Sequence, residues 1–216
     1  MIRIITEAMS DLTREDALRL NITLVAQPLR FGMEEYLDDG YSIKREDFFA
    51  RMRTATELPH TSMVPMALWL DAFNKRLRNP EDELLCITGP SRLSGCHHSA
   101  EMAQEECNDP ARVTVVDTMS GSCGEMLLVE EAVRMRALGA SVSQIVTPLE
   151  ELKARQVVFG PADDLKCLVM GGRLNPLIGK VGGALNIKPT LMLKNGIIEK
   201  EGVGPGLTLM SWVKTK

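Results

Sequence analysis

The run Leu84-Leu85-Cys86-Ile87-Thr88, continued by Gly89-Pro90-Ser91-Arg92-Leu93-Ser94-Gly95 and then His97-His98-Ser99-Ala100-Glu101-Met102-Ala103, constrains the fold more than any other stretch of this chain. Its first five residues form a strand-like segment after the turn-forming Asn79-Pro80-Glu81-Asp82. Gly89 and Pro90 break that strand, and a helix is expected from near Ser94. A strand that runs into a polar, Gly-containing loop and then a helix start is how an α/β protein holds an anion. The unpaired N–H groups and the positive end of the helix dipole face the ligand, with serine hydroxyls alongside. Ser94 also reads as a plain helix cap, and this stretch alone leaves both readings open.

The flanking segments repeat the alternation. Met1–Thr6 reads as a first strand, Thr13–Leu20 as a helix, and Asn21–Val25 as a second strand closed by Pro28. Phe31–Tyr36 with Leu37-Asp38-Asp39-Gly40 reads as a hairpin or surface arm, because Asp-Gly is strong turn chemistry. Ser42–Glu46 resembles a capped helix start, with Phe48, Phe49 and Met52 on its apolar face. Pro59–Pro65 is a polar loop bounded by prolines, ahead of a helix from Met66 to Leu77. Arg112–Asp117 is another strand. Ser120–Gly124 turns into a helix through Leu138 that Gly139 stops, and a further helix covers Ser141–Lys153. Strands alternating with helices predict a parallel, Rossmann-like sheet.

After about Ala154 the character changes. Val157–Phe159 is strand-like, Asp163–Met170 a short helix, and glycines cluster at Gly171-Gly172, Gly179 and Gly182-Gly183. Asn195-Gly196 between two apolar runs is a type I′ hairpin signal. The expectation is therefore α/β in two domains, 1–154 with the parallel sheet and 155–216 a smaller, β-rich α+β unit.

A net charge of −4 with interleaved charges argues against nucleic acid as the main partner. No 18-residue apolar run and no signal pattern is seen, so no integral membrane segment and a cytoplasmic location are expected. Five widely spaced cysteines, 86, 96, 107, 123 and 167, fit reduced thiols. The three histidines are too badly spaced for a metal cluster, and no metal or cofactor is expected. Cys96 beside His97 is a poor catalytic pair, since neighbours on a helix point in different directions. The Gly89–Gly95 loop lacks the Lys-Ser/Thr of a P-loop. Asp38, Asp39 and Asp117 read as a solvated turn and a strand-end cap.

Together these segments resemble the DegV family of bacterial fatty-acid-binding proteins (the EDD fold). The resemblance is carried by Ile4-Ile5-Thr6 with Ser10-Asp11-Leu12, Tyr36-x-Asp38-x-Gly40, Pro59-His60-Thr61-Ser62, Leu93-Ser94-Gly95, Val115-Val116-Asp117-Thr118, Gly171-Gly172-Arg173-Leu174 and Leu185-Asn186-Ile187-Lys188-Pro189, in that order. It implies a binding protein rather than an enzyme, with a long-chain fatty acid between the domains. It implies Thr61 and Ser94 as carboxylate donors, with Ser62 and Gly95 completing their loops. It further implies Arg173 as the contact for a fatty acid kinase subunit.

Three departures stand out. Glu7-Ala8 replaces the family's Asp-Ser, Cys96 replaces the Thr after Leu-Ser-Gly, and Met63-Val64-Pro65 replaces Gln-Pro-Ser. The end of the chain also looks internally shortened, with Gly202 where the family has a His. The alternative is a shortened relative with a structural or regulatory role and no retained lipid binding. Shortening predicts under-covered apolar residues among Ile187, Leu191, Leu193, Ile198 and Leu207, closed by a homo-oligomer or left as a tunnel open to water.

Overall fold

The alternating apolar runs pair as a parallel sheet in the computed structural model, which describes residues 1–39, 42–55, 57–162, 165–174 and 187–205, the last of these partly as backbone alone. In chain order the elements are β1 (Ile2–Glu7), α1 (Arg14–Leu20), β2 (Thr23–Val25), β3 (Gln27–Phe31), β4 (Glu34–Asp38), α2 (Arg45–Thr54), β5 (His60–Thr61), α3 (Met66–Arg76), β6 (Glu83–Thr88), α4 (Cys96–Glu106), β7 (Val113–Asp117), α5 (Cys123–Ala137), α6 (Val142–Arg155), β8 (Val158–Pro161), α7 (Lys166–Met170), β9 (Ile187–Lys194) and β10 (Ile197–Pro205). The main sheet has the order β2-β1-β6-β7, all pairs parallel.

Side chains of a strand alternate between faces, and here that period divides the core into two layers. Ile2, Ile4, Leu85, Ile87 and Val116 pack with Ala17 of α1, Leu128, Val129 and Ala132 of α5, and Ile145 and Leu149 of α6. Ile5, Leu84, Cys86 and Val113 pack on the opposite side with Trp69 and Phe73 of α3 and Ala100 and Ala103 of α4. The order also fixes the crevice. From β1 the chain steps outward to β2 and later returns on the other side as β6, so the order in which strands are added reverses between β1 and β6. Ligands of open α/β sheets bind outside the carboxyl ends of strands at such a switch point. Here those ends are Glu7 and Thr88.

Local chemistry explains the helix boundaries. Thr13 and Asp16 cap α1 reciprocally, as Ser141 and Gln144 cap α6. Gly139 takes φ +81° just beyond α5, a left-handed conformation that favours glycine. Three local expectations are corrected. Pro28 does not close β2 but lies inside β3, where its carbonyl accepts from the Ser62 N–H at 3.1 Å. The hairpin of β3 and β4 turns at Gly32-Met33, with Gly32 at φ +59°, rather than at Asp39-Gly40. Gly40 lies outside the described residues. Ser42 is not the cap of α2, whose N-cap is Lys44 with no side-chain bond. No residue of α2 is buried, though Phe48 stacks edge-on against Phe31 at 5.5 Å between ring centroids.

A second sheet, of order β10-β9-β8, is antiparallel. Its hairpin turns at Asn195-Gly196, at φ +51° and +71°, the pair of positive values that a type I′ turn demands. Asp163, Gly179, Gly182-Gly183, Leu185-Asn186, Leu207 and Trp212 lie outside the described residues. Leu191, Leu193 and Ile198 are half-buried; the side chain of Ile187 is not described.

The two sheets meet at Gly124 in the first turn of α5. A Cβ there would overlap Ser120 Oγ and come within 2.6 Å of Gln156 Nε2 and 2.7 Å of Val158 Cγ2. Alanine in a free helix interior gains about 1 kcal/mol over glycine, but overpacking a filled site costs about 1–3 kcal/mol. We predict that Gly124→Ala lowers stability in urea unfolding. A rise would show that this seam yields freely.

Candidate functional site

At the switch point the residues of the Gly89–Gly95 loop find partners within the protein. The Gly89 N–H donates to Glu7 Oε1 at 3.0 Å, and the Ser91 N–H reaches both Asp117 oxygens at 3.3 Å. The Leu93 and Ser94 N–H groups donate to the Pro90 carbonyl, and the Cys96 N–H to Ser94 Oγ at 3.3 Å. Of the loop's N–H groups, those of Gly89, Ser91, Leu93 and Ser94 are thus engaged within the protein. What the loop presents at Ser94 is the hydroxyl, not an amide cradle. Asp117 holds the loop from the end of β7 and also accepts from the Met119 N–H at 2.8 Å, the strand-end cap that its position suggests.

Helix α4 begins at Cys96 with Gly95 as N-cap, two residues after the expected start. Its first turn gathers the second loop. The Cys96 thiol accepts from the Val64 N–H at 3.3 Å and from Ser94 Oγ at 3.1 Å. One turn on, Ser99 Oγ donates to the Val64 carbonyl at 2.7 Å. Val64 is thus held at both backbone groups, and it is fully buried. Met63 folds over Gly95, where a Cβ would stand 2.5 Å from the Met63 Sδ. Thr61 is exposed on the two-residue strand β5, paired with Leu29, and Ser62 follows it, also exposed. The structure therefore ties Val64, two residues after Ser62, to the helix start that Ser94 and Gly95 precede.

The Cys96 thiol is buried close to an acid. Burial, then the Glu7 carboxyl, pushes it up to about 12. His97 is turned to Thr88, Nδ1 to Oγ1 at 3.0 Å, and His98 is exposed beside Glu101. All five cysteines are free thiols.

Beneath the loop lie two wholly buried carboxyl groups, Glu7 and Glu125. Thr6 Oγ1 donates to Glu125 Oε1 at 2.9 Å. Each glutamate keeps its Oε2 without a hydrogen-bond partner. Both flank Gly89, whose missing side chain makes the room: a Cβ would lie 3.2 Å from Glu125 Oε2, 3.4 Å from Glu7 Oε1 and 2.5 Å from the Met9 Sδ. Burial raises Glu7, opposed by hydrogen bonds from the Cys96 thiol and the Gly89 N–H. Burial, then the Glu7 charge, raises Glu125 well above the usual carboxylate range.

Arg173 sits at the seam between the sheets. Its Nε donates to the Leu93 carbonyl at 3.3 Å, one residue before Ser94. In the reciprocal direction Arg92 donates to the Asn195 carbonyl at 3.3 Å, and the Gly196 N–H reaches the Met119 carbonyl at 2.7 Å. A groove of about 480 Å³ runs between Arg92 and Leu93 on one side and Gly171, Gly172, Arg173, Gly196 and Ile197 on the other. Thr61 and Ser94 do not line this groove.

Glu125, Val64 and Ser99 escape the sequence reading. Glu125 had a usable signal: with Leu128, Val129 and Ala132 it keeps the i, i+3, i+4, i+7 spacing of a core-facing stripe, all four buried. A charged residue on that stripe marks a buried carboxyl.

Fold and site together define a three-sheet α/β protein with polar loops gathered at the carboxyl ends of its parallel strands and a groove along the seam to an antiparallel sheet. The chain belongs to the DegV family, described as uncharacterised proteins, whose model matches residues 1–207. A DegV domain-containing protein of Deinococcus radiodurans is 33% identical over 201 residues, covering 93% of this chain and 70% of that protein. One from Lactococcus lactis is 31% identical over 193 residues, covering 88% and 66%. The chain therefore spans about two thirds of the length of these relatives. Among solved structures, a DegV family protein from Thermus thermophilus described for its fatty acid binding matches at 31% identity with a TM-score of 0.83, covering 95% of this chain and 72% of that one. A stearic-acid-binding protein from Eubacterium ventriosum matches at 27% identity with a TM-score of 0.86, covering 95% and 71%. Among the described residues no helix is long and apolar enough to cross a membrane.

The clamp on Val64 is directly testable. Ser99→Ala leaves a buried carbonyl without its donor, which costs about 1–3 kcal/mol. The expected outcome is that loss in chemical denaturation, with faster amide exchange at Val64 and its neighbours. Unchanged exchange there would mean that α4 does not hold the loop.

Proposed function

We propose that this protein binds a long-chain fatty acid at the crevice between the parallel sheet and the antiparallel sheet. The carboxylate is held by the Thr61 and Ser94 hydroxyls, the Ser94 O–H turning from Cys96 Sγ to the ligand, with Ser62 and Gly95 shaping the two loops. In this reading residues 1–154 carry the head-group loops, and residues 155–216 supply a wall for the acyl tail. The observation that carries it is the tie of Val64, two residues after Ser62, to the first turn of α4 that Ser94 and Gly95 precede, through Cys96 and Ser99. The fatty acid binding of the Thermus and Eubacterium relatives supports the ligand class.

Burying an acyl chain contributes about 0.8 kcal/mol per CH₂, so a tail of about 16 carbons gains on the order of 10 kcal/mol gross. Each hydroxyl–carboxylate bond adds about 1.5–3 kcal/mol. The tail supplies affinity and the hydroxyls supply orientation. Arg173, exposed beside the Leu93 carbonyl, is the residue through which a fatty acid kinase subunit would meet the loaded head group.

A second reading follows from the sequence. With Gly202 standing where the family has a His, the alternative is a structural or regulatory relative without retained lipid binding. Organic extraction of the purified protein followed by mass spectrometry separates the two. Near-stoichiometric fatty acid supports the first reading, and its absence together with no uptake of added palmitate supports the second. Ser94→Ala and Thr61→Val are expected to weaken palmitate binding by about 1–3 kcal/mol each. If both bind like the parent, the head group is held elsewhere.

A further inference from the structure

The two glutamates beneath the loop are unused by the head-group chemistry, yet they touch every part of it. Glu7 Oε1 holds the Gly89 N–H, and Cys96 stands between Glu7 and Ser94, with its thiol in reach of the first and bonded to the second. Glu125, from α5, faces the same side of Gly89. Both glutamates are wholly buried beside Gly89 and each keeps its Oε2 without a partner, so a proton held between the two carboxyls is the arrangement inferred from their placement. The Thr6 hydroxyl and the Gly89 N–H occupy the two Oε1 atoms as donors, so neither competes for that proton.

We propose that Glu7 and Glu125 are positioning residues for the ligand head group: a carboxyl pair that shares a proton, holds Gly89 and Cys96 under the binding loop, and ties fatty-acid affinity to the occupancy of that proton. The proton exchanges with bulk water. The proposal rests on the fatty-acid reading given above for its last element only.

The surroundings decide the sign. The charged groups acting on Glu125 are Glu7, Asp11 at the end of the turn after β1, and Asp117 at the end of β7, all acidic. Two thiols lie near the pair, Cys86 of β6 and Cys96 of α4; both are raised first by burial and then by Glu7, with Glu125 adding at Cys86. His97 of α4 engages Thr88, and Lys153 of α6 is held on the Asp117 carbonyl and Glu150. Both glutamates keep their proton to higher pH folded than unfolded, where the carboxyl titrates near 4.5. Above that value the native state holds more protons than the unfolded chain, so stability falls as pH rises toward the folded values. A ligand carboxylate on Ser94 stands two hydrogen bonds from Glu7. Losing the shared proton adds a second negative charge under it, and affinity falls over the same window.

The test uses the parent and Glu125→Gln, whose amide keeps the shape, accepts from Thr6 and donates permanently to Glu7. In ligand-free protein, infrared spectroscopy is expected to show a protonated-carboxyl C=O band in the parent that persists above the pH where an ordinary glutamate ionises and is lost in the variant. Thermal stability is expected to fall as pH rises above the ordinary glutamate value of 4.5 in the parent and to stay flatter in the variant. Palmitate affinity is expected to drop on the order of tenfold over the same rise in the parent and to change much less in the variant. The variant also subtracts any titration of palmitate itself. No protonated band and equal pH slopes in parent and variant would overturn the shared proton. A pH-dependent stability with pH-independent palmitate affinity would overturn the link to binding. Palmitate binding by neither protein would sink the fatty-acid reading, while the infrared band and stability slopes still decide the pair.

Discussion

The crevice depends on one missing side chain. Gly89 ends β6 where a Cβ would meet the Met9 Sδ at 2.5 Å and crowd two carboxyl oxygens. Because it is absent, β1 and β6 can each end in a polar residue, Glu7 and Thr88, without filling the space between them. Glu7 then anchors the backbone that leaves β6, through the Gly89 N–H. The price is two buried acids at the heart of an apolar molecule, and ionising both would be far more costly than ionising one. The same contact thus positions the loop and leaves the protein with a protonation problem that the rest of the site inherits.

Around that anchor, α4 organises the surface. Cys96 and Ser99 lie on its first turn and hold the N–H and the C=O of Val64, so the loop before α3 cannot move without breaking two buried bonds. Thiol acceptors are weak partners. Cys96 receives Val64 and Ser94 together, and its burial keeps it from exchanging them for water. Two of the residues that depart from the family pattern, Glu7 and Cys96, face each other here. A longer acid on β1 and a thiol on α4 are complementary changes, since each supplies the other with a partner.

Much of this fold was legible in the residues. Continuous apolar runs such as Leu84–Ile87 and Val113–Val116 belong to strands covered on both faces, and the capping residues Thr13 and Ser141 mark helix starts that the structure keeps. The Asn195-Gly196 turn follows from backbone chemistry alone. What the sequence hid is non-local. Asp39-Gly40 carries stronger turn chemistry than Gly32-Met33, yet the pairing of Leu29 with Tyr36 places the hairpin turn at the latter. The loop after β6 reads as an anion cradle because nothing local reveals that Glu7 and Asp117, 82 and 26 residues distant, take its N–H groups. Glu125 lies 119 residues from the hydroxyl that bonds it. The candidate hydroxyls Thr61 and Ser94 were visible as motifs, whereas the clamp of α4 on Val64 was not.

A loop with most of its amides already engaged recognises a ligand differently from one with free N–H groups. Free amides at a helix start favour compact, multiply charged groups such as phosphate, which can take several donors at once. Hydroxyls on two separate loops suit a group with few acceptors, and a monocarboxylate has two oxygens for Thr61 and Ser94 to share. Such a head contributes modest energy, so affinity must come from apolar area elsewhere. The seam to the antiparallel sheet is where that area would lie. It is closed by carbonyl contacts from Arg92 and Arg173 and by the Gly196 N–H, with a groove of about 480 Å³ left between them. Exposed side-chain bonds of this kind hold surfaces weakly, so we expect an apolar tail filling the groove to do more to hold the two sheets together than the arginines do.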